Sequence, residues 1–133
     1  MYDDRLMKHF IELEAWQKGM ELLKEVYRLS SKLPKEEKYN LKSQMRRAST
    51  SILTNIAEGF GRVTGPDKAH KYTISRGECT EVHALLIISI ELGQITNDDA
   101  AYAIELISET GKLTSELIRK YSTLRIPQSQ PQP

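Results

Sequence analysis

The chain has one cysteine, few aromatic residues and no long uninterrupted apolar run. Its 133 residues include only Cys79 as a thiol, so no internal disulfide can form, and a reducing compartment fits this composition. The longest mostly apolar stretch, Val82 to Leu92, carries His83 and Glu91 and is too short to span a bilayer. The first residues lack the basic and apolar layout of a signal peptide. We therefore expect a cytoplasmic protein with no membrane partner.

The patterns that support catalysis or metal binding are also missing. The three histidines are far apart, and no Glu-x-x-His motif of di-metal bundles occurs. The glycine-rich segment from Gly59 to Gly65 follows a helical pattern and lacks the Gly-Lys-Ser/Thr of a phosphate-binding loop. Cys79 has no evident base beside it, and Glu78 with Glu81 makes only one carboxylate pair. We expect no enzyme activity, no metal and no cofactor.

What the sequence does contain is helical periodicity, in four stretches without sustained two-residue alternation. The pattern predicts helices from about Leu13 to Lys32, Pro34 to Gly59, Asp67 to Leu92, and from Thr96 or Asn97 onward. Gly59 and Gly93 are predicted to end the second and third helices as C-caps. Short connections between helices of this length place neighbours antiparallel, which predicts an all-α, up-down four-helix bundle.

The length and the ends of the chain set the predicted boundaries. A chain of 133 residues that is 39% hydrophobic and 28% charged fits one folded domain. We predict an N-terminal arm over residues 1–12 and the bundle over residues 13–121. Residues 122–133, which end in a run of proline and glutamine, are predicted to be a disordered tail.

Each predicted helix carries apolar residues outside its main stripe. In helix one the main stripe includes Trp16 and Tyr27, whereas Leu22, Val26 and Leu29 lie off it. A helix packed only within its own bundle should be polar on its far side, so a second stripe predicts self-association. A wide stripe in a small irregular core is the alternative. The candidate residues of the oligomer interface are Ile74, Leu85, Ile88, Leu92, Leu106, Leu113 and Leu117.

Charge is nearly balanced over the whole chain but unevenly distributed along it. The formal net charge is +1, yet the segment from Lys35 to Arg76 holds nine Lys/Arg against four Asp/Glu. Such a segment favours an anionic partner, although a solvated basic face fits the same pattern. The candidates for sequence-independent contact with RNA or DNA are Lys42, Arg46, Arg47, Arg62, Lys68, Lys71 and Arg76.

One polar residue interrupts the apolar arc of the second helix. Asn55 lies between Ile52 and Ile56. A buried amide without a hydrogen bond costs about 1–3 kcal/mol. We therefore predict that Asn55 is bonded, either to the following loop or to another helix.

The second helix also carries a recognisable signature. Its segments are Gln44-Met45-Arg46-Arg47-Ala48, Ser51-Ile52, and Asn55-Ile56-Ala57-Glu58-Gly59-Phe60 with Arg62. With these residues the chain resembles the 23S rRNA intervening-sequence proteins, also called four-helix bundle proteins. The likeness extends from about Phe10 to Tyr121, and Asn-Ile-Ala-Glu-Gly is its most specific part. Glu78 departs from the pattern, because the family usually has serine after the glycine of helix three.

The resemblance implies a four-helix bundle that assembles into a ring-like homopentamer. A related branch is similar to the accessory variability protein of diversity-generating retroelements, which acts as a barrel-shaped pentamer with a reverse transcriptase and nucleic acid. Two function hypotheses follow. One is a non-catalytic oligomeric accessory factor that binds nucleic acid, and the other is a scaffold for a protein partner such as a reverse transcriptase.

Overall fold

Four α-helices make up most of the described chain. The computed structural model describes the backbone of residues 8–128 and the side chains of residues 8–122. No strand occurs among these residues, so the predicted all-α class is confirmed. The helices are α1 Glu14–Ser30, α2 Leu41–Gly61, α3 Gly65–Glu91 and α4 Asn97–Gln128, with short 3-10 turns at Phe10–Glu12 and Lys35–Glu37.

Each helix packs against two others, and the four close into a bundle. Between α2 and α3, Ser75 donates a hydrogen bond to the Ile52 carbonyl at 2.8 Å, and Lys68 donates to the Phe60 carbonyl at 2.7 Å. The later position on α2 thus meets the earlier position on α3, which makes the two helices antiparallel. The other neighbouring helices show the same reversed order. The pairs are Gly19–Leu53 and Ser30–Arg46 for α1 and α2, Lys18–Glu109 and Arg28–Asp99 for α1 and α4, and Tyr72–Tyr121 and Arg76–Ser115 for α3 and α4.

The residues of α1 that are most deeply buried are mostly not those of the predicted main stripe. Leu22, Val26 and Leu29 are fully buried, whereas Tyr27 of the predicted main stripe is 42% exposed. The prediction was wrong because α1 has two apolar stripes, and periodicity alone does not say which one faces inward. Gly19 favours the observed inward stripe, because a helix without a side chain at this position can approach α2 closely. A Cβ there would lie only 3.0 Å from the Leu53 side chain.

The second helix begins later than predicted, at Leu41 instead of near Pro34. The intervening segment forms a separate 3-10 turn, Lys35–Glu37, before the chain reverses direction at Asn40. The Glu37 carboxylate holds this turn, because it accepts hydrogen bonds from the Gln94 side chain at 2.9 Å and from the Leu41 backbone at 3.4 Å. These contacts join the turn to the end of α3, which periodicity could not foresee.

Gly59 does not end α2 as a left-handed cap. The helix continues to Gly61, and Gly93 is the one glycine with positive φ, at 74°, in the described chain. A Cβ on Gly59 would lie 2.6 Å from Cε1 of the buried Tyr72 ring, so glycine is needed for the close approach of α2 to α3. Gly93 does end α3 as predicted, and the Gln94 amide bonds back to the Ser89 carbonyl at 3.0 Å.

The fourth helix is longer than predicted. It begins after Thr96, one of the two predicted caps, whose Oγ1 accepts a hydrogen bond from the Asp99 amide at 3.0 Å. It then continues past Tyr121 to Gln128, so the first part of the predicted tail is helical. Residues 1–7 of the predicted arm and residues 129–133 of the predicted tail lie outside the described residues. Along the described helices, none is long and apolar enough to cross a membrane.

Candidate nucleic-acid and self-association surfaces

Arg46 on α2 is directed toward the end of α1. Its Nε donates to Ser30 Oγ at 2.9 Å, and its guanidinium lies 4.3 Å from the centre of the Tyr27 ring. A cation at this distance over an aromatic face is attracted by the ring quadrupole. Arg46 has no ion pair with a carboxylate among the described side chains. Its charge is therefore positioned but not neutralised.

Arg47 lies on the other flank of α2 and does form ion pairs. Its guanidinium bonds to Glu81 and lies 3.7 Å from a Glu78 oxygen, both on α3. The same Glu78 oxygen accepts a hydrogen bond from Ser51 Oγ at 3.0 Å, and Asn55 donates to Ser51 Oγ at 3.1 Å. Asn55 is therefore bonded, as predicted, but within α2, and it reaches α3 only through Ser51. Glu78, the departure from the family pattern, joins this network.

Two further candidate cations share one carboxylate. Lys71 Nζ lies 2.8 Å from Glu58, and the guanidinium of Arg62 lies 3.9 Å from the same oxygen. The hydrogen bond from Lys71 holds the pKa of the Glu58 carboxyl below its ordinary value, and the nearby positive charges act in the same direction. This carboxylate therefore reduces the charge that Lys71 and Arg62 offer to an external anion.

Lys68 caps a helix end. Its ammonium donates to the carbonyls of Gly59 and Phe60, at 3.3 and 2.7 Å, in the last turn of α2. The same ammonium lies 5.6 Å from the centre of the Phe60 ring and 5.5 Å from that of Tyr121, and burial lowers the pKa of the Lys68 amine. Cations favour the negative end of a helix dipole, so this lysine stabilises the end of α2.

The seven candidate cations do not form one patch. Arg46 bonds to α1, Arg47 and Lys71 bond across the α2–α3 interface, and Arg76 donates to Ser115 Oγ on α4 at 3.3 Å. Lys42 is half-buried and has no hydrogen bond or ion pair with a described residue. Of the seven, the cations with no carboxylate partner in the described chain are therefore Lys42, Arg46, Lys68 and Arg76, and Lys68 is engaged by the carbonyls at the end of α2.

Two shallow grooves lie beside these cations. One, of about 400 Å³, runs along α1 and α2 and is lined by Tyr27, Arg46, Arg47, Thr50, Ser51 and Thr54. The other, of about 520 Å³, lies between α3 and α4. Its basic residues on α4, Lys112 and Arg119, were missed because the sequence reasoning considered only the basic segment that ends at Arg76. Their spacing of seven residues on one helix face could have revealed them.

The candidate interface residues divide into three groups by burial. Leu85, Leu106 and Leu117 are 5%, 1% and 7% exposed, so they belong to the core and their assignment to an outer surface was wrong. Ile74 and Leu113 are half-buried. Ile88 and Leu92 are exposed on α3, together with Ile87, which the sequence reasoning missed. Helix α3 has apolar residues on all sides, so periodicity did not separate its core face from its outer face.

Cys79, the one cysteine of the chain, is buried. Burial raises the pKa of the Cys79 thiol to about 12, so the thiol is protonated at neutral pH and is a poor nucleophile. Within the described part of the chain, no three His, Cys, Asp or Glu side chains are grouped where they could hold a metal ion.

A comparison with known families identifies the chain. The family described as 23S rRNA-intervening sequence protein matches residues 11–116, most of the chain and all of the first three helices. The protein is a member of this family. The signature on α2 lies within the matched region, and the structure gives its glycine a physical role, the close approach of α2 to Tyr72. No curated protein matches the chain.

Proposed function

We propose that this protein is a non-catalytic, cytoplasmic module that self-associates and binds nucleic acid. Self-association rests on one observation, the outer surface of α3, where Ile87, Ile88 and Leu92 are 47%, 44% and 59% exposed. Complete burial of such a side chain at a subunit interface contributes about 1.5–3 kcal/mol to the free energy of association. The homopentameric ring that the family resemblance implies would repeat this contact around a closed symmetric assembly.

Nucleic acid is the proposed partner because part of the basic surface is not neutralised internally. Arg46 is held in place by Tyr27 and Ser30 without a carboxylate partner, and Lys42 lies one helical turn before it. Contacts from such cations go to phosphates, which are the same in every sequence, so binding would be independent of sequence. A symmetric oligomer would present this pair once per subunit.

A protein-binding scaffold is the second candidate, and the ion pairs favour it. Arg47, Arg62 and Lys71 are each near a glutamate of their own chain, which leaves less positive charge for phosphates than the sequence suggests. The exposed apolar residues of α3 would then serve a protein partner, such as a reverse transcriptase, as well as self-association.

A titration separates the two candidates. Purified protein is mixed with a fluorescent structured RNA and a matched DNA duplex at about 50 mM and about 200 mM salt, and the log–log slope counts the phosphates engaged. Nucleic-acid binding predicts micromolar affinity that falls steeply with salt. It also predicts that Lys42→Glu with Arg46→Glu removes binding while the oligomeric mass is unchanged. The control, Lys8→Glu with Lys24→Glu, makes the same charge change elsewhere. Absence of wild-type binding at the lower salt favours the scaffold.

A further inference from the structure

The groove between α3 and α4 has the composition of an anion-binding site. It has a volume of about 520 Å³ and is open to solvent. Its lining includes Arg76, Cys79 and His83 on α3 and Lys112, Glu116 and Arg119 on α4. Without counting His83, the cationic side chains of the groove are Arg76, Lys112 and Arg119, and Glu116 is its one carboxylate.

Two cations of this groove, Arg76 and Lys112, differ from those between α2 and α3. The only hydrogen bond that Arg76 makes in the described chain is to a neutral acceptor, Ser115 Oγ, at 3.3 Å. Lys112 has no ion pair with any described carboxylate. By contrast, Arg47 is engaged by two glutamates of its own chain. The positive charge of Arg76 and Lys112 is therefore available to an external anion.

The floor of the groove neither fills it nor repels an anion. Cys79 lies there as a neutral thiol, because burial raises its pKa to about 12. Gly111 leaves the wall open, since a Cβ at this position would meet nothing within 4 Å. The hydroxyls of Ser108, Ser115 and Thr80 line the same space and can donate hydrogen bonds to anionic oxygens.

We infer that the α3–α4 groove binds the phosphate groups of a linear oligoanion, with Arg76 and Lys112 as the main contacts. The planar guanidinium of Arg76 can form two parallel hydrogen bonds to one phosphate, and Lys112 supplies a point charge to the next. The α4 wall from Ser108 to Arg119 is about 16 Å long at 1.5 Å per residue, which is room for more than one phosphate.

Two sources would supply this chemistry: a single-stranded RNA or a free oligophosphate. The inference deepens the proposed nucleic-acid function by adding a second set of phosphate contacts to those of Lys42 and Arg46 on α2. It rests on that function only where RNA is the ligand. Inorganic tripolyphosphate, measured by isothermal titration calorimetry, and a fluorescent single-stranded RNA, measured by anisotropy, are the two probes.

The first test removes the charges. Arg76→Gln with Lys112→Gln is expected to weaken binding by about tenfold, and to reduce the magnitude of the RNA salt slope by about 1.4 for two lost phosphate contacts. The matched control is Lys8→Gln with Lys24→Gln, which makes the same charge change at two lysines outside the groove and is expected to bind as wild type does.

The second test blocks the groove without changing any charge. Gly111→Met places a long side chain where the structure has open space, so the fold tolerates it while the groove is filled. It is expected to weaken binding as much as the charge removal does. Circular dichroism and the thermal midpoint confirm that each variant is folded.

The outcomes separate this inference from the proposed function. Loss of RNA binding in the groove variants supports the inference with nucleic acid as the ligand. Loss confined to tripolyphosphate supports it with a free oligophosphate as the ligand. Wild-type RNA binding that survives both groove variants, with no tripolyphosphate binding, overturns the inference and leaves the proposed function standing. Tripolyphosphate binding that the groove variants lose, with no RNA binding by the wild type, supports the inference and overturns the proposed nucleic-acid function. Wild-type protein that binds neither probe overturns both.

Discussion

At the residue scale, two glycines in helix interiors have opposite roles. Gly59 on α2 lies against the buried Tyr72 ring, with 2.6 Å between an added Cβ and Cε1, whereas an added Cβ on Gly77 of α3 meets nothing within 4 Å. Periodicity predicted neither role, and Gly59 was interpreted as a cap. The requirement at Gly59 comes from the ring of another helix, so sequence spacing within α2 could not reveal it.

Alanine substitutions at Gly59 and Gly77 are expected to change the stability of the fold in opposite directions. Gly59→Ala should lower the free energy of unfolding by about 1–3 kcal/mol, because the fully buried Tyr72 ring must shift to admit a methyl group. Gly77→Ala should raise it by about 0.5–1 kcal/mol, because alanine loses less backbone entropy in a helix interior. Urea denaturation followed by circular dichroism measures both. A Gly59→Ala protein as stable as wild type would contradict the assigned close approach.

The candidate cations show that residue identity alone does not establish which positive charges are available to a ligand. The sequence correctly showed that basic residues are concentrated around α2 and the start of α3. It could not show that Arg47 and Lys71 face glutamates, because those partners lie on another helix, whereas the i,i+4 spacing of Glu58 and Arg62 was open to sequence reasoning. A charge count along the chain therefore overstates the charge available to a ligand.

At the element scale, the four predicted helices are present, but some of their ends and the inward face of α1 were predicted wrongly. Four periodic stretches gave four helices, since periodicity over twenty or more residues is a strong signal. The start of α2 follows the turn that Glu37 holds, and the inner face of α1 was misassigned because α1 has two neighbouring apolar stripes. Both errors arise from contacts between elements that are distant in sequence.

The start of α4 gives a test of capping and pH dependence. Thr96 and Asp99 bond reciprocally: the Thr96 amide donates to Asp99 Oδ2 at 3.1 Å, and the Asp99 amide donates to Thr96 Oγ1 at 3.0 Å. Thr96→Ala should therefore lower the free energy of unfolding by about 1 kcal/mol. A variant with unchanged thermal midpoint would show that these bonds do not stabilise α4.

The carboxylate of the same cap, Asp99, makes the stability of the fold depend on pH in a predictable direction. Hydrogen bonds from Thr96, chiefly from its backbone amide, hold the pKa of Asp99 below its ordinary value of 3.8, with a smaller contribution from Lys32. A lowered pKa in the folded state stabilises the fold above the unfolded value, and this stabilisation is lost as the pH falls through the folded value. The stability difference between wild type and Asp99→Asn should therefore be present at pH 7 and disappear in strong acid. A difference independent of pH would contradict this assignment.

At the scale of the whole molecule, the described bundle leaves a group of large apolar side chains exposed at the end of α3. Sequence patterning indicated a second apolar surface, but three of its seven assigned residues, Leu85, Leu106 and Leu117, belong to the core. The remaining exposed residues, Ile88 and Leu92 with the added Ile87, are concentrated toward the end of α3. Self-association is therefore predicted through a smaller surface than the sequence suggested.

Charge placed on this surface should dissociate the oligomer. Ile88→Glu with Leu92→Glu puts two carboxylates where a partner subunit would exclude water, so the variant should be monomeric yet keep its helical content. Tyr39→Glu with Val63→Glu is the matched control, because it adds the same two carboxylates at side chains that are 85% and 93% exposed in the connections before and after α2. If the control dissociates as readily as the double variant, the effect is one of net charge and not of this surface.

The central claim, that the protein acts as a self-associated binding module, is tested most directly by sedimentation equilibrium of the wild-type chain over a range of concentrations at physiological salt. The account predicts a mass that is an integral multiple of the chain mass, with five as the multiple implied by the family resemblance. A mass equal to one chain at every concentration would contradict it, and the exposed residues of α3 would then need a different partner.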